Sequence, residues 1–262
     1  MIPEAAITHW RNVAPWPQDA QVEQDLILCR ALTEIFQDPA LSKALLLRGG
    51  TALHKLLTKS SYRYSEDIDL VQAEAGPIGP VMSAIRARLD PVLGEPRREN
   101  NPDNVTLRYR MRSEIEPVVP LRLKIEINTR EHFTVYEPDV RPFEVQSPWF
   151  EGRAEVRTYA LDELLGTKLR ALYQRRKGRD LFDLWLGLDT LGAEPKRVTA
   201  AFRKYLDGEG TRITRGQFEL NLKEKMESRS FGTDLRPLLA ASVSYDAAQA
   251  ARMVSEKLLS IL

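Results

Sequence analysis

Leu47-Arg48-Gly49-Gly50-Thr51-Ala52-Leu53 and, a few residues on, Ser65-Glu66-Asp67-Ile68-Asp69-Leu70 are the stretches that decide the fold. The apolar run 44–47 reads as a short strand, and Leu53, Leu56 and Leu57 as the apolar side of a helix that follows it. Between them, Gly49, Gly50 and Thr51 place unblocked backbone N–H groups and a hydroxyl at a helix start, a geometry that suits a phosphate. Residues 67–71 read as a second strand. Side chains two apart in a strand share a face, so Asp67 and Asp69 project together while Ile68 and Leu70 enter the core. Two such carboxylates repel unless something positive lies between them, and a divalent cation is the usual answer. An oxygen-only donor set favours Mg2+ or Mn2+ over zinc.

Two longer strands are expected further on. Val105, Leu107, Tyr109 and Met111 alternate with polar residues, as do Leu121, Leu123, Ile125 and Ile127, with Pro117 and Pro120 marking the turn between them. Glu126 faces away from the apolar side of its strand. Paired beside Asp67 and Asp69 it completes a carboxylate triad suited to two metal ions and in-line attack on a phosphoryl group. The plainer alternative is a solvent-facing glutamate balanced by Arg122 and Lys124.

Helices are expected over 19–36, with Asp19 as N-cap, and over 81–93. From about Thr158 the period is helical throughout, over 161–174, 180–191, 195–206, 215–227 and 245–262. The fold class is therefore α+β: a mixed sheet with flanking helices over 1–155, then a helical domain over 156–262 that completes an active-site cleft.

The 262 residues carry 38 Lys and Arg against 37 Asp and Glu, so the net charge of +1 gives no global pull toward nucleic acid and any basic surface is local. One cysteine, Cys29, excludes an internal disulfide and a multi-thiolate zinc site; its place on an apolar helical stripe reads as core. Three scattered histidines make a histidine-rich metal site improbable. No apolar stretch approaches the roughly 20 residues needed to span a bilayer, and the N-terminal residues lack a basic stretch followed by an apolar core. The expectation is a cytoplasmic protein with no membrane partner. There is no P-loop, no Gly-x-Ser-x-Gly elbow and no dinucleotide fingerprint.

Two basic clusters remain. Lys168, Arg170, Arg175, Arg176, Lys177 and Arg179 form a run without an acid, suited to a triphosphate, an RNA backbone or both, or simply to a helix C-terminus near Gly178. Arg179 is counted with Lys168 as nucleotide-binding. Asp180 is a candidate N-cap for the next helix. Arg108, Arg110 and Arg112 form a ladder on one strand face, with Glu114 and Glu116 as competing partners and Arg97 and Arg98 just before. Tyr62, Arg63 and Tyr64 suit either base stacking or loop packing.

The Gly-Gly-Thr-Ala-Leu block, the Ser-Glu-Asp-Ile-Asp-Leu block and Lys168 with Arg179-Asp180-Leu181-Phe182-Asp183-Leu184 together resemble the AbiEii/AbiGii-type nucleotidyltransferase toxins of abortive-infection and type IV toxin–antitoxin systems. The resemblance implies that Asp67 and Asp69 bind metal, with Gly49, Gly50 and Thr51 as the nucleotide-phosphate turn, and Ser65 is expected to cradle phosphate beside them. It also implies Lys168 near the triphosphate and Asp183 as a further acid of the motif. Glu126 is placed with the metal ligands and with the acceptor hydroxyl. The implied activity is transfer of a nucleotide from a nucleoside triphosphate to an acceptor, foremost the tRNA 3′ end, which blocks translation. A cognate antitoxin encoded nearby and acting without a stable complex is implied as well. A protein or small-molecule acceptor is the alternative enzyme reading; a non-catalytic nucleotide- or RNA-binding module is the alternative class.

Overall fold

The structure, a computed structural model, describes residues 2–262. It divides into two units: residues up to Phe133 together with Pro138–Thr158, and Thr134–Glu137 together with Tyr159–Leu262.

The first unit is built on a seven-stranded mixed sheet of order β3-β4-β5-β2-β1-β7-β6. Its strands are β1 (Leu45–Arg48), β2 (Asp67–Gln72), β3 (Arg97–Asn100), β4 (Asn104–Arg112), β5 (Pro120–Asn128), β6 (Asp139–Ser147) and β7 (Phe150–Thr158). β2 runs antiparallel to β1 and parallel to β5, while β4 closes an antiparallel hairpin onto β5. The period-two pattern explains the layering: Leu107, Tyr109, Leu123, Ile125, Ile127, Ile68 and Leu70 are all buried on one face.

Helices α1 (Glu4–Trp10), α2 (Asp19–Gln37), α3 (Pro39–Ala44), α4 (Gly49–Ala52) and α5 (Gly79–Leu93) belong to the same unit. The expected start of α2 holds, but its N-cap is Gln18, which exchanges bonds with Gln21 in a capping box, and Asp19 is the first helical residue. α4 continues as a π-helical turn over Leu53–Leu57. That widened turn delivers Lys55 to Asp25, a fully buried residue of α2, at 2.6 Å. The Asp25 carboxylate also accepts from the indole N–H groups of Trp10 and Trp16, each at 2.9 Å. Both carboxylate oxygens that burial strips of water are thereby answered, and the segment after the glycine turn is anchored to α2.

Three strands escape the sequence pattern. β3 holds no apolar residue and is an edge strand, marked only by charge. β6 and β7 form a hairpin with few apolar positions turned inward: Phe143, Val145, Ala154 and Val156 are buried, while Pro142 and several charges interrupt the alternation.

The second unit is helical: α6 (Leu161–Gln174), α7 (Gly178–Asp189), α8 (Pro195–Gly208), α9 (Arg215–Met226), α10 (Arg229–Thr233) and α11 (Ala247–Lys257). Its core gathers Leu165, Leu169, Leu184, Phe202, Phe218 and Val254. Gly166 lets α6 and α8 approach closely, since a Cβ there would meet the backbone of α8 at 3.0 Å. The outlying segment Thr134–Glu137 joins this unit through buried Glu163, whose carboxylate accepts from the N–H of Val135 and of Tyr136, each at 2.9 Å, and from the Tyr205 hydroxyl at 2.7 Å. The helix expected over 245–262 is shorter because Asp246 caps it, accepting from the N–H groups of Ala248 and Gln249, and it ends in a 3-10 turn at Leu259–Ile261. No described helix is long and apolar enough to cross a membrane.

Candidate active site

The parallel pairing of β2 with β5 sets Asp67 opposite Lys124 and Asp69 opposite Glu126. All four side chains share the face opposite the core, and all are partly exposed. The three expected carboxylates therefore do come together, and the register that unites them is a tertiary fact. Among them stands a group that the alternation also placed on this face: the Lys124 ammonium lies 3.0 Å from Asp67 Oδ2 and 3.4 Å from Glu126 Oε2. Asn104 on β4 donates to the other Glu126 oxygen at 3.3 Å.

Electrostatics follow from this crowding. Burial pushes the Asp67 carboxyl up and Lys124 opposes it, but the neighbouring charges of Asp69 and Glu66 help to keep it raised. Burial works against the Lys124 ammonium, yet Asp67, Asp69 and Glu126 outweigh it, so this amine holds its proton more tightly than an ordinary lysine. Among the described residues no three acidic, histidine or cysteine side chains stand ready as a metal cage. The Lys124 ammonium instead pairs with two of the three acids, Asp67 and Glu126. An all-oxygen donor set that gathers around a positive charge fits a magnesium- or manganese-type ion, with the ammonium as its stand-in.

The glycine turn lies directly against this cluster. Gly49 has φ +79°, and a Cβ built there would overlap Asp69 Oδ2 and lie 3.1 Å from its Cγ. Glycine is required here twice over, by its backbone conformation and by the carboxylate resting on it. A Cβ on Gly50 would run into the guanidinium of buried Arg63, 3.3 Å from its Cζ. Thr51 is fully buried; its hydroxyl donates to the Asp67 carbonyl and lies 2.8 Å from the Ser65 hydroxyl. Sequence reasoning expected this hydroxyl at a phosphate. The structure gives it a positioning task, tying the turn to the start of β2.

Tyr64 is buried with its ring edge-on to Trp16, and Arg63 is buried beneath Gly50, so neither presents a face for a base. In the helical unit, Lys168 lies inside, 2.8 Å from Asp183 and 3.4 Å from Asp180, both fully buried. Arg175 adds a two-pronged contact to Asp180 at 2.7 and 2.8 Å. Burial pushes the Asp180 carboxyl up, and Lys168 with Arg175 outweigh it and hold it below the usual carboxylate range. Asp180 is therefore no N-cap: α7 begins at Gly178, and its carboxylate points into the ion cluster. The expected basic run is thus divided. Lys168 and Arg175 hold the cluster, and Arg170 pairs with Glu209 at 2.9 Å. Arg176 and Lys177 are exposed, and Arg179 is half-buried.

Lys124 and Arg63 are the residues that sequence reasoning undervalued. Lys124 could have been found, since it precedes Glu126 by two in an alternating strand; Arg63 carried no such signal.

Residues 30–261 match the protein family described as nucleotidyl transferase AbiEii toxin, type IV TA system. No curated protein matches the sequence. The fold is similar to that of JHP933 from Helicobacter pylori, with a TM-score of 0.58 at 16% identity over 93% of this chain and 92% of that one. It is also similar to MenT4, the nucleotidyltransferase toxin Rv2826c from Mycobacterium tuberculosis H37Rv, with a TM-score of 0.52 at 17% identity over 100% of this chain and 99% of that one. At such identities the likeness is one of fold.

Proposed function

The chain belongs to the AbiEii family of nucleotidyl transferase toxins of type IV toxin–antitoxin systems, and from that premise we propose that it moves a nucleotide from a nucleoside triphosphate onto the 3′ end of tRNA. The observation that carries the reading is the β2–β5 register, which brings Asp67, Asp69 and Glu126 to one face, with the Lys124 ammonium paired to Asp67 and Glu126. Those three carboxylates would hold Mg2+ or Mn2+, which when bound supplies positive charge to the attacking hydroxyl and to the leaving pyrophosphate.

The remaining work falls to the chain. Glu126, held by Asn104, orients the acceptor hydroxyl and takes its proton. The first-turn N–H groups at Gly49 and Gly50, with the Ser65 hydroxyl, receive the phosphates. Gly49 also lets Asp69 approach that turn, and Thr51 keeps the turn in register with Asp67. Lys124 offsets the mutual repulsion of the acids before substrate arrives, and its ammonium is then available to the triphosphate. Lys168 and Asp183 fix the interior of the helical unit, and Arg179 lies half-buried near the start of α7. A cognate antitoxin opposes the activity without forming a stable complex.

The test is incubation of purified protein, magnesium and each labelled nucleoside triphosphate with total tRNA on a denaturing gel. Label on tRNA that vanishes with Asp69→Asn is the expected result. Transfer that survives Asp69→Asn, or label confined to protein, would overturn the assignment.

A further inference from the structure

The face that carries the carboxylates does not end with them. Across β3, β4 and β5 the register sets Arg97 beside Arg108, Arg108 beside Lys124, and Arg110 beside Arg122, with Arg112 one step further along β4. Six cations thus share the open face of one sheet edge. Like charges placed directly opposite on neighbouring strands, about 5 Å apart, destabilise a sheet. Glu99 relieves Arg108 at 2.9 Å and Arg97 at 3.6 Å, and Lys124 has the triad. Arg110, Arg112 and Arg122 are exposed, and among the described residues none has an acidic partner at ion-pair distance. The acids nearest in sequence are engaged elsewhere: Glu114 accepts from the Ile2 N–H at 3.2 Å and Glu116 from the Val118 N–H at 3.1 Å.

In a chain of net charge +1, such unrelieved repulsion marks a surface completed by a polyanion. From Lys124 to the end of the ladder is four residues of strand, roughly 13 Å at the usual rise, longer than a triphosphate seated at the triad can cover. No aromatic side chain shares this face of β3, β4 or β5, whose outward positions are Arg, Lys, Glu, Thr, Asn and Pro. Its ligand is therefore gripped by charge along a backbone rather than by stacked bases.

We infer that this arginine face is a docking track for the phosphate backbone of an RNA, leading away from the carboxylate triad along β4 and β5. The inference deepens the acceptor assignment above and rests on it for the identity of the RNA.

Fluorescence anisotropy with labelled bulk tRNA, across a potassium chloride series, tests it on the full chain. Wild type is compared with the triple variant R110Q/R112Q/R122Q and with a charge-matched control, R86Q/R88Q/R141Q, whose arginines lie on α5 and β6 rather than on β3–β5. The expected result is at least about a tenfold weaker Kd for the triple variant and a salt slope smaller by about 2–3, with the control unchanged. The single variants R110Q and R112Q, each lowering the slope by about 1, keep the test valid if the triple variant does not fold. Labelling kinetics add a second readout: KM for RNA rises while kcat is retained. Unchanged affinity and slope in the variants would overturn the track even if wild type labels tRNA, leaving the transfer reaction intact. Arginine-dependent tRNA binding without any RNA labelling would support the track and overturn the acceptor assignment instead. Preference for polyglutamate over tRNA would assign the face to an acidic protein and overturn the inference.

Discussion

Gly49→Ala is the substitution whose outcome the geometry fixes most tightly. Two costs add. At φ +79° an L-residue sits in the left-handed region, at about 1–2 kcal/mol. The new methyl also overlaps Asp69 Oδ2 and crowds its Cγ at 3.1 Å, and forcing a packed group aside costs about 1–3 kcal/mol more. The expected loss is therefore about 2–5 kcal/mol. Asp69→Ala removes the overlapping carboxylate but keeps the backbone conformation and the residue-69 Cβ, 3.2 Å from the new methyl, so in that background the same substitution keeps the left-handed cost of about 1–2 kcal/mol and only the smaller part of the crowding. The double-mutant cycle should show a coupling of about 1–3 kcal/mol, read as roughly 2–12 °C of difference in the Tm change between backgrounds. Thermal melts of the four proteins supply it, and Gly49→Ala alone should also abolish nucleotide transfer by displacing Asp69. Equal Tm losses in the two backgrounds would refute the claim that Asp69 fills the space above Gly49.

Other outcomes follow from the buried charges. Lys168→Met strips the ammonium from Asp183 at 2.8 Å and should cost about 3–5 kcal/mol in urea unfolding, whereas Arg179→Gln should stay within about 0.5 kcal/mol. Asp180 has a carboxyl held below its ordinary range, so its charge supports the fold above about pH 4 and that support is lost as pH falls further. The urea midpoint should drop on acidification from pH 6 to 3, and Arg175→Gln should shrink that drop; an unchanged drop would remove Arg175 from the account. Burial pushes the Cys29 thiol well above the ordinary range, so it should resist a thiol reagent in the native protein and titrate as one equivalent in denaturant.

Legibility differed sharply between neighbouring features. The alternation of 105–111 and 121–127 revealed β4 and β5 because their inner positions are uniformly large and apolar, and 161–174 matches α6 end to end for the same reason at helical period. β6 and β7 have too few inward apolar side chains to leave a signal, and β3 has none. At the site, Asp67 and Asp69 were legible because a two-residue spacing is a local property of a strand.

What the sequence determined by itself is therefore what depends on neighbours along the chain: the class of each periodic element, the shared face of Asp67 and Asp69, and the outward direction of Glu126. Which strand lies beside β2 is settled by pairing across more than fifty residues, and only that pairing brings Glu126 level with Asp69 and lodges Lys124 among the acids. The same holds for Lys168. Its position on α6 was readable, but whether its charge faces solvent or Asp183 depends on how α6 packs against α7. Local periodicity orients a side chain; tertiary packing decides which charge it meets, because a charge taken out of water must find its counterpart in another element.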